Sequence, residues 1–76
     1  MNEKTRPIKR ALEQAEARMA ALTLDKARLE QRLCSPLPAA EIAETGRQLK
    51  ATSDELDALE SEWLSLSEQM EHTAAA

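Results

Sequence analysis

The sequence predicts an all-α protein built as a two-helix antiparallel coiled-coil hairpin. Three observations point there. Ala, Leu, Glu, Gln, Lys and Arg dominate, Trp63 is the only aromatic residue, and there is one Gly. A sheet protein would need β-branched and aromatic residues. Apolar residues recur at alternating spacings of three and four over two long stretches, the signature of sustained heptads. Pro36 and Pro38 stand between those stretches, and no helix runs straight through such a pair.

The elements follow in order. Residues 1–5 have no apolar period and are expected to be a disordered N-terminal segment. Pro7 suits a first helical turn, with Thr5 or Arg6 as the cap. Helix one is expected over 6–34, on the seam Ile8, Leu12, Ala15, Met19, Leu22, Lys26, Leu29 and Leu33. Residues 35–37 form the proline turn. Helix two is expected over 38–72, on the seam Ile42, Thr45, Leu49, Thr52, Leu56, Leu59, Trp63, Leu66 and Met70. Residues 73–76 have no anchor and are expected to fray. At 76 residues and 8.4 kDa the chain has room for one small domain.

Charge selects the register of the hairpin. With Ile8 facing Trp63, the layers become Leu12 with Leu59, Ala15 with Leu56, Met19 with Thr52, Leu22 with Leu49, Lys26 with Thr45, and Leu29 with Ile42. The flanking pairs are then Arg18 with Glu55, Arg32 with Glu41, and Lys9 with Glu60, all attractive. A slide by one heptad sets Glu16 against Glu60 and Asp25 against Glu55, and leaves Arg18 with Glu62 as the one attraction. The first register also puts the turn at the prolines.

Composition excludes several function classes. A chain this short cannot wall off a dry pocket, so a self-contained enzyme is not expected. The longest apolar run, Met19 to Leu22, falls far short of the roughly 20 residues that span a bilayer. No signal peptide is visible at the N-terminus. Cys34 has no partner for a disulfide and no metal-ligand spacing around it, which favours the reducing cytoplasm. Phosphate-loop, dinucleotide, zinc-protease and paired-cysteine motifs are absent. No catalytic, cofactor-binding or metal-binding residue is expected.

Single residues fit structural roles. Trp63 reads as a core anchor near the open end, and Lys26 as a seam residue whose ammonium reaches water. Thr45, Gly46 and Thr52 read as weak packing near the tip. Cys34, close to a helix C-terminus, reads as an ordinary free thiol. His72 stands alone, and Glu13, Glu16, Glu60 and Glu62 read as solvated carboxylates.

Charge is divided unevenly. Residues 1–33 hold eight basic and five acidic side chains, a balance of +3, and residues 38–76 hold two basic and nine acidic, a balance of −7. The plain reading is attraction between the two helices. The sharper one is phosphate contact by Lys4, Arg6, Lys9, Arg10, Arg18, Arg28 and Arg32. No aromatic platform is present for stacking bases.

The order of features also resembles a family. Arg6-Pro7-Ile8-Lys9-Arg10 opens a heptad helix. Leu29-Glu30-Gln31-Arg32-Leu33 leads into a Ser-Pro turn. Leu56 to Glu71, centred on Glu62-Trp63-Leu64, closes the second helix. Over about residues 5–71 this resembles the C-terminal coiled-coil domain of bacterial ABC-F ATPases, in particular the Uup-like branch. Ser35 stands where that family often has Asp, and Leu37-Pro38 where it has Leu-Tyr. The resemblance implies an accessory arm that binds DNA, tRNA, rRNA or the ribosome, with the ATP and Mg sites in upstream cassettes of a cytoplasmic parent protein. It implies no membrane contact; a monomer or weak dimer is expected. Two other readings stand beside it. One is the tRNA-contacting C-terminal arm of a valyl-tRNA synthetase, which Leu33-Cys34-Ser35-Pro36-Leu37 resembles loosely. The other is a purely structural or self-associating hairpin docking through Leu24, Leu37 and Leu64.

Overall fold

The computed structural model describes residues 3–75 of the chain. It contains two helices, α1 over Arg6–Leu33 and α2 over Ala39–Ala75, packed as a hairpin measuring 57 × 15 × 14 Å. At about 1.5 Å per residue, the length of α2 alone accounts for the long dimension.

Backbone chemistry explains where the helices begin and end. Glu3–Thr5 form a turn into α1, in part of the segment expected to be disordered; Met1 and Asn2 lie outside the described residues. Thr5 is the N-cap, although its side chain makes no capping bond. Its carbonyl accepts the Lys9 N–H at 2.8 Å. Pro7 costs nothing in this first turn, where its N–H would have no partner.

At the far end Cys34 N–H donates to the Gln31 carbonyl at 3.0 Å, and Ser35 N–H to the Arg32 carbonyl at 3.2 Å. These tight closures end α1 at Leu33. The Pro38 carbonyl accepts both the Glu41 and Ile42 N–H at 3.0 Å and so starts α2. Each helix thus stops one residue short of the expected turn. At its other end α2 runs past His72 through Thr73, Ala74 and Ala75, where a tail was expected. Alanine is the best helix former, so nothing in that stretch ends the helix. Ala76 lies outside the described residues.

The core is thin. Ala15, Leu22 and Leu29 are the buried apolar residues, seven apart on one line of α1, and Thr45 of α2 is buried with them. Ile8, Leu12, Met19 and Lys26 on α1, and Leu49, Thr52, Leu56, Leu59, Trp63, Leu66 and Met70 on α2, are half-buried. Two helices can cover each other on one side only, so most of the seam keeps some contact with water.

Three expectations about the tip need correction. Ile42, expected to face Leu29 in the core, is 49% exposed, and Leu33 is 37% exposed. A residue beside the turn has neighbours on one side along the hairpin and solvent on the other. Thr45, expected to pack poorly, is the most buried residue at 3%. Its short side chain lets the helices approach, and no buried side-chain polar atom among the described residues lacks a partner. Leu37, expected as an exposed docking point, is half-buried, whereas Leu24 and Leu64 are exposed.

The ion pairs support the register chosen from charge. Arg18 and Glu55 form a two-pronged pair, Nε to Oε2 at 2.8 Å and Nη2 to Oε1 at 3.2 Å. Arg32 and Glu41 lie 4.0 Å apart. Both were expected; the slid register would instead have brought Glu62 to Arg18. Lys9 and Glu60 form no ion pair among the described residues.

Candidate nucleic-acid interface

The basic residues of α1 fall into two groups. Arg18, Arg28 and Arg32 each hold a carboxylate. Arg18 grips Glu55 across the hairpin, Arg32 reaches Glu41, and Arg28 Nη2 lies 3.3 Å from Asp25 one turn earlier. The Arg18 hydrogen bonds hold the Glu55 carboxyl below its ordinary range, and Glu55 raises Arg18 in return. A phosphate approaching these arginines meets a competitor already in place.

Arg6, Lys9 and Arg10 differ. They are exposed and take part in no ion pair among the described residues. They occupy the first two turns of α1, and the first turn holds no acidic residue to offset the positive end of the helix dipole. Arg6 and Arg10 are four apart and therefore share a face. With Pro7, Ala11 and Gln14 they line a shallow depression of about 260 Å³. Lys4 is exposed just before the helix and has interactions of its own. The structure therefore brings Lys4, Arg6, Lys9 and Arg10 together at one end, and sets Arg18, Arg28 and Arg32 along the shaft.

The acidic side of the molecule has its own local order. Arg47 Nη2 meets Glu44 at 2.7 Å, and Lys50 meets Asp54 at 2.9 Å, both within one turn of α2. Glu44 is held below its ordinary range by Arg47 and then by Gln48, and Lys50 is raised by Asp54. The two basic residues of α2 are thus neutralised by their own helix. The cross-helix contribution of α2 comes from Glu41 and Glu55.

One contact escaped sequence reasoning. The Trp63 indole Nε1–H donates to Glu16 Oε1 at 2.9 Å. The heptad pattern places Trp63 as an anchor opposite Ile8, and Glu16 as a solvated carboxylate. Helical side chains lean toward the N-terminus of their own helix. In an antiparallel pair the two leans converge, so Trp63 reaches α1 residues numbered above its layer partner. That lean was the signal available in the sequence.

Cys34 is exposed, and its Sγ donates to the Glu30 carbonyl at 3.5 Å. Among the described residues no group of three or more His, Cys, Asp or Glu could hold a metal ion, and no helix is long and apolar enough to cross a membrane.

Comparison with known proteins adds one positive finding. No curated protein and no solved structure matches the chain. A family model does match, over residues 4–68, from the turn before α1 to the last third of α2. A helical hairpin matched along nearly its whole length is a member of the family that the model describes: the chain belongs to the ABC transporter C-terminal domain family.

Proposed function

We propose that this domain is a nucleic-acid- or ribosome-binding accessory arm of a Uup-like ABC-F ATPase, with no chemistry of its own. ATP and Mg would be handled by the parent's cassettes, in the cytoplasm. The observation that carries the reading is the segregation of α1's cations. Arg6, Lys9 and Arg10 crowd the positive end of a helix whose first turn holds no acidic residue, and none of the three forms an ion pair among the described residues, an arrangement that favours the arrival of an anion. Phosphate oxygens supply that anion, and contacts of this kind position without reading bases. Arg18, Arg28 and Arg32 belong to the hairpin's own electrostatics in this reading, which narrows the interface to the open end.

The test is fluorescence anisotropy with duplex DNA and structured RNA. Three phosphate contacts imply a log–log salt slope of about −2.7 on duplex DNA, so affinity should fall about forty-fold between 50 and 200 mM salt. Reversing Arg6, Lys9 and Arg10 to Glu should abolish binding without lowering thermal stability, because acidic residues suit a helix N-terminus. Binding that survives the triple reversal, or no binding at 50 mM salt, removes the proposal.

A further inference from the structure

The face of α1 turned away from the hairpin carries an apolar patch. Leu24 is 73% exposed, the most exposed of the large apolar residues. It lies two residues from buried Leu22, and at about 100° per residue that puts it on the opposite side of the helix. Single exposed leucines are ordinary. Leu24 differs in its neighbours: Ala17, Ala20, Ala21 and Ala27 surround it at helical spacing, all exposed. Leu64, the next most exposed, is flanked at the same spacings by Asp57, Glu60, Ser61 and Ser67.

We propose that this face joins two copies of the chain through their α1 helices, antiparallel about a two-fold axis between Ala20 and Ala21. In that alignment Leu24 of each copy lies over Ala17 of the other, and Ala20 over Ala21. The charges at the ends of the patch then match. Glu13 meets Arg28 of the second copy, twice over by symmetry. Glu13 has no ion pair among the described residues, and Arg28 engages Asp25 through one guanidinium nitrogen. A parallel alignment would set Glu13 against Glu13 and Arg28 against Arg28, with both helix dipoles pointing the same way. The alanines allow the backbones to come close enough for Leu24 to fill the space above them.

Surface area agrees with this occupant. The chain exposes 5710 Å², whereas a compact monomer of 8.4 kDa would expose roughly 4,600 Å². The excess, on the order of 1,100 Å², is spread over the faces of a 57 × 15 × 14 Å rod, and a standard interface covers about 800 Å² on each partner. A second copy could take up that excess while leaving the hairpin seam as it is. Arg6 lies about five whole turns from Leu24 and so on the same face, and Arg10 shares that face and comes opposite Gln31 of the second copy, so the two proposed surfaces meet at the open end; Leu24→Lys alters none of these cations and tests the dimer separately.

Sedimentation velocity on the 76-residue chain from micromolar to several hundred micromolar tests it. A reversible monomer–dimer equilibrium is expected. Leu24→Lys should weaken the dimer at least ten-fold with helical circular dichroism unchanged, because Leu24 contributes nothing to the hairpin core. Leu64→Lys should leave it unaffected. Glu13→Arg should weaken it several-fold, and Glu13→Arg with Arg28→Glu should restore it. Cys34 is the only cysteine and is exposed, so spin labels there read the alignment directly. Antiparallel pairing sets the two labels about 40 Å apart. A monomer at every concentration, a dimer indifferent to Leu24→Lys, or a label separation under about 25 Å overturns the proposal.

Discussion

Arg18 and Glu55 show what a single pair contributes. The guanidinium meets the carboxylate through two hydrogen bonds, a geometry that Lys could not reproduce. Both groups are exposed, so their attraction is screened, and the pair acts chiefly by choosing a register. Arg18→Glu should lower the melting temperature, and Glu55→Arg in the same chain should recover part of the loss. Melts of the two single variants and the double variant measure that coupling. Acid should act on the same contact. Glu55 and Glu44 titrate below their ordinary value of 4.5 in the folded chain. Their stabilisation is present above that value and is lost as the pH falls through the lowered folded values. Glu55→Gln should therefore flatten the acid limb of a pH–melting curve. An unchanged limb would mean that the pair has no part in acid sensitivity.

At the scale of an element, α2 has weak spots that can be improved. Gly46 lies inside the helix with a negative φ, and a Cβ built there meets nothing within 4 Å. Its cost is then mainly the backbone freedom it loses on folding. Gly46→Ala should stabilise the hairpin by about 0.5–1 kcal/mol, visible as a higher melting temperature. Thr45 next to it shows why the two residues differ. It is buried at 3% and sets the approach of the helices near the tip, so a larger side chain there would push them apart. Thr23 and Thr52 donate their hydroxyls to the carbonyls of Met19 and Gln48 one turn back, which quiets these polar side chains within their helices.

For the molecule as a whole, the consequence is a rod folded on itself. Energy transfer between a label at residue 8 and one at residue 66 should report a separation on the order of 15 Å, where one unbroken helix would give about 87 Å. The expected distance should not depend on concentration, because the two helices belong to one chain. A long distance that appears on dilution would mean that the seam is satisfied between molecules. Few side chains among the described residues are buried, so Leu22 and Leu29 bear more of the rod's stability than their number suggests.

The sequence by itself determined the helical class, the elbow and the pairing. Heptad spacing, two prolines and the signs of Arg18, Arg32, Glu41 and Glu55 are local or additive quantities that can be read in one dimension. The family could be read in the same way, because Arg6-Pro7 and the Trp63 segment keep their order along the chain. Tertiary structure alone decided which seam positions lose water. Burial depends on how closely the second helix comes at each level, which is why Thr45 is covered and Ile42 is open. It also decided which cations keep a carboxylate. Arg18 and Arg10 look alike in the chain, but Glu55 lies within reach of Arg18, whereas Arg10 at the open end forms no ion pair among the described residues.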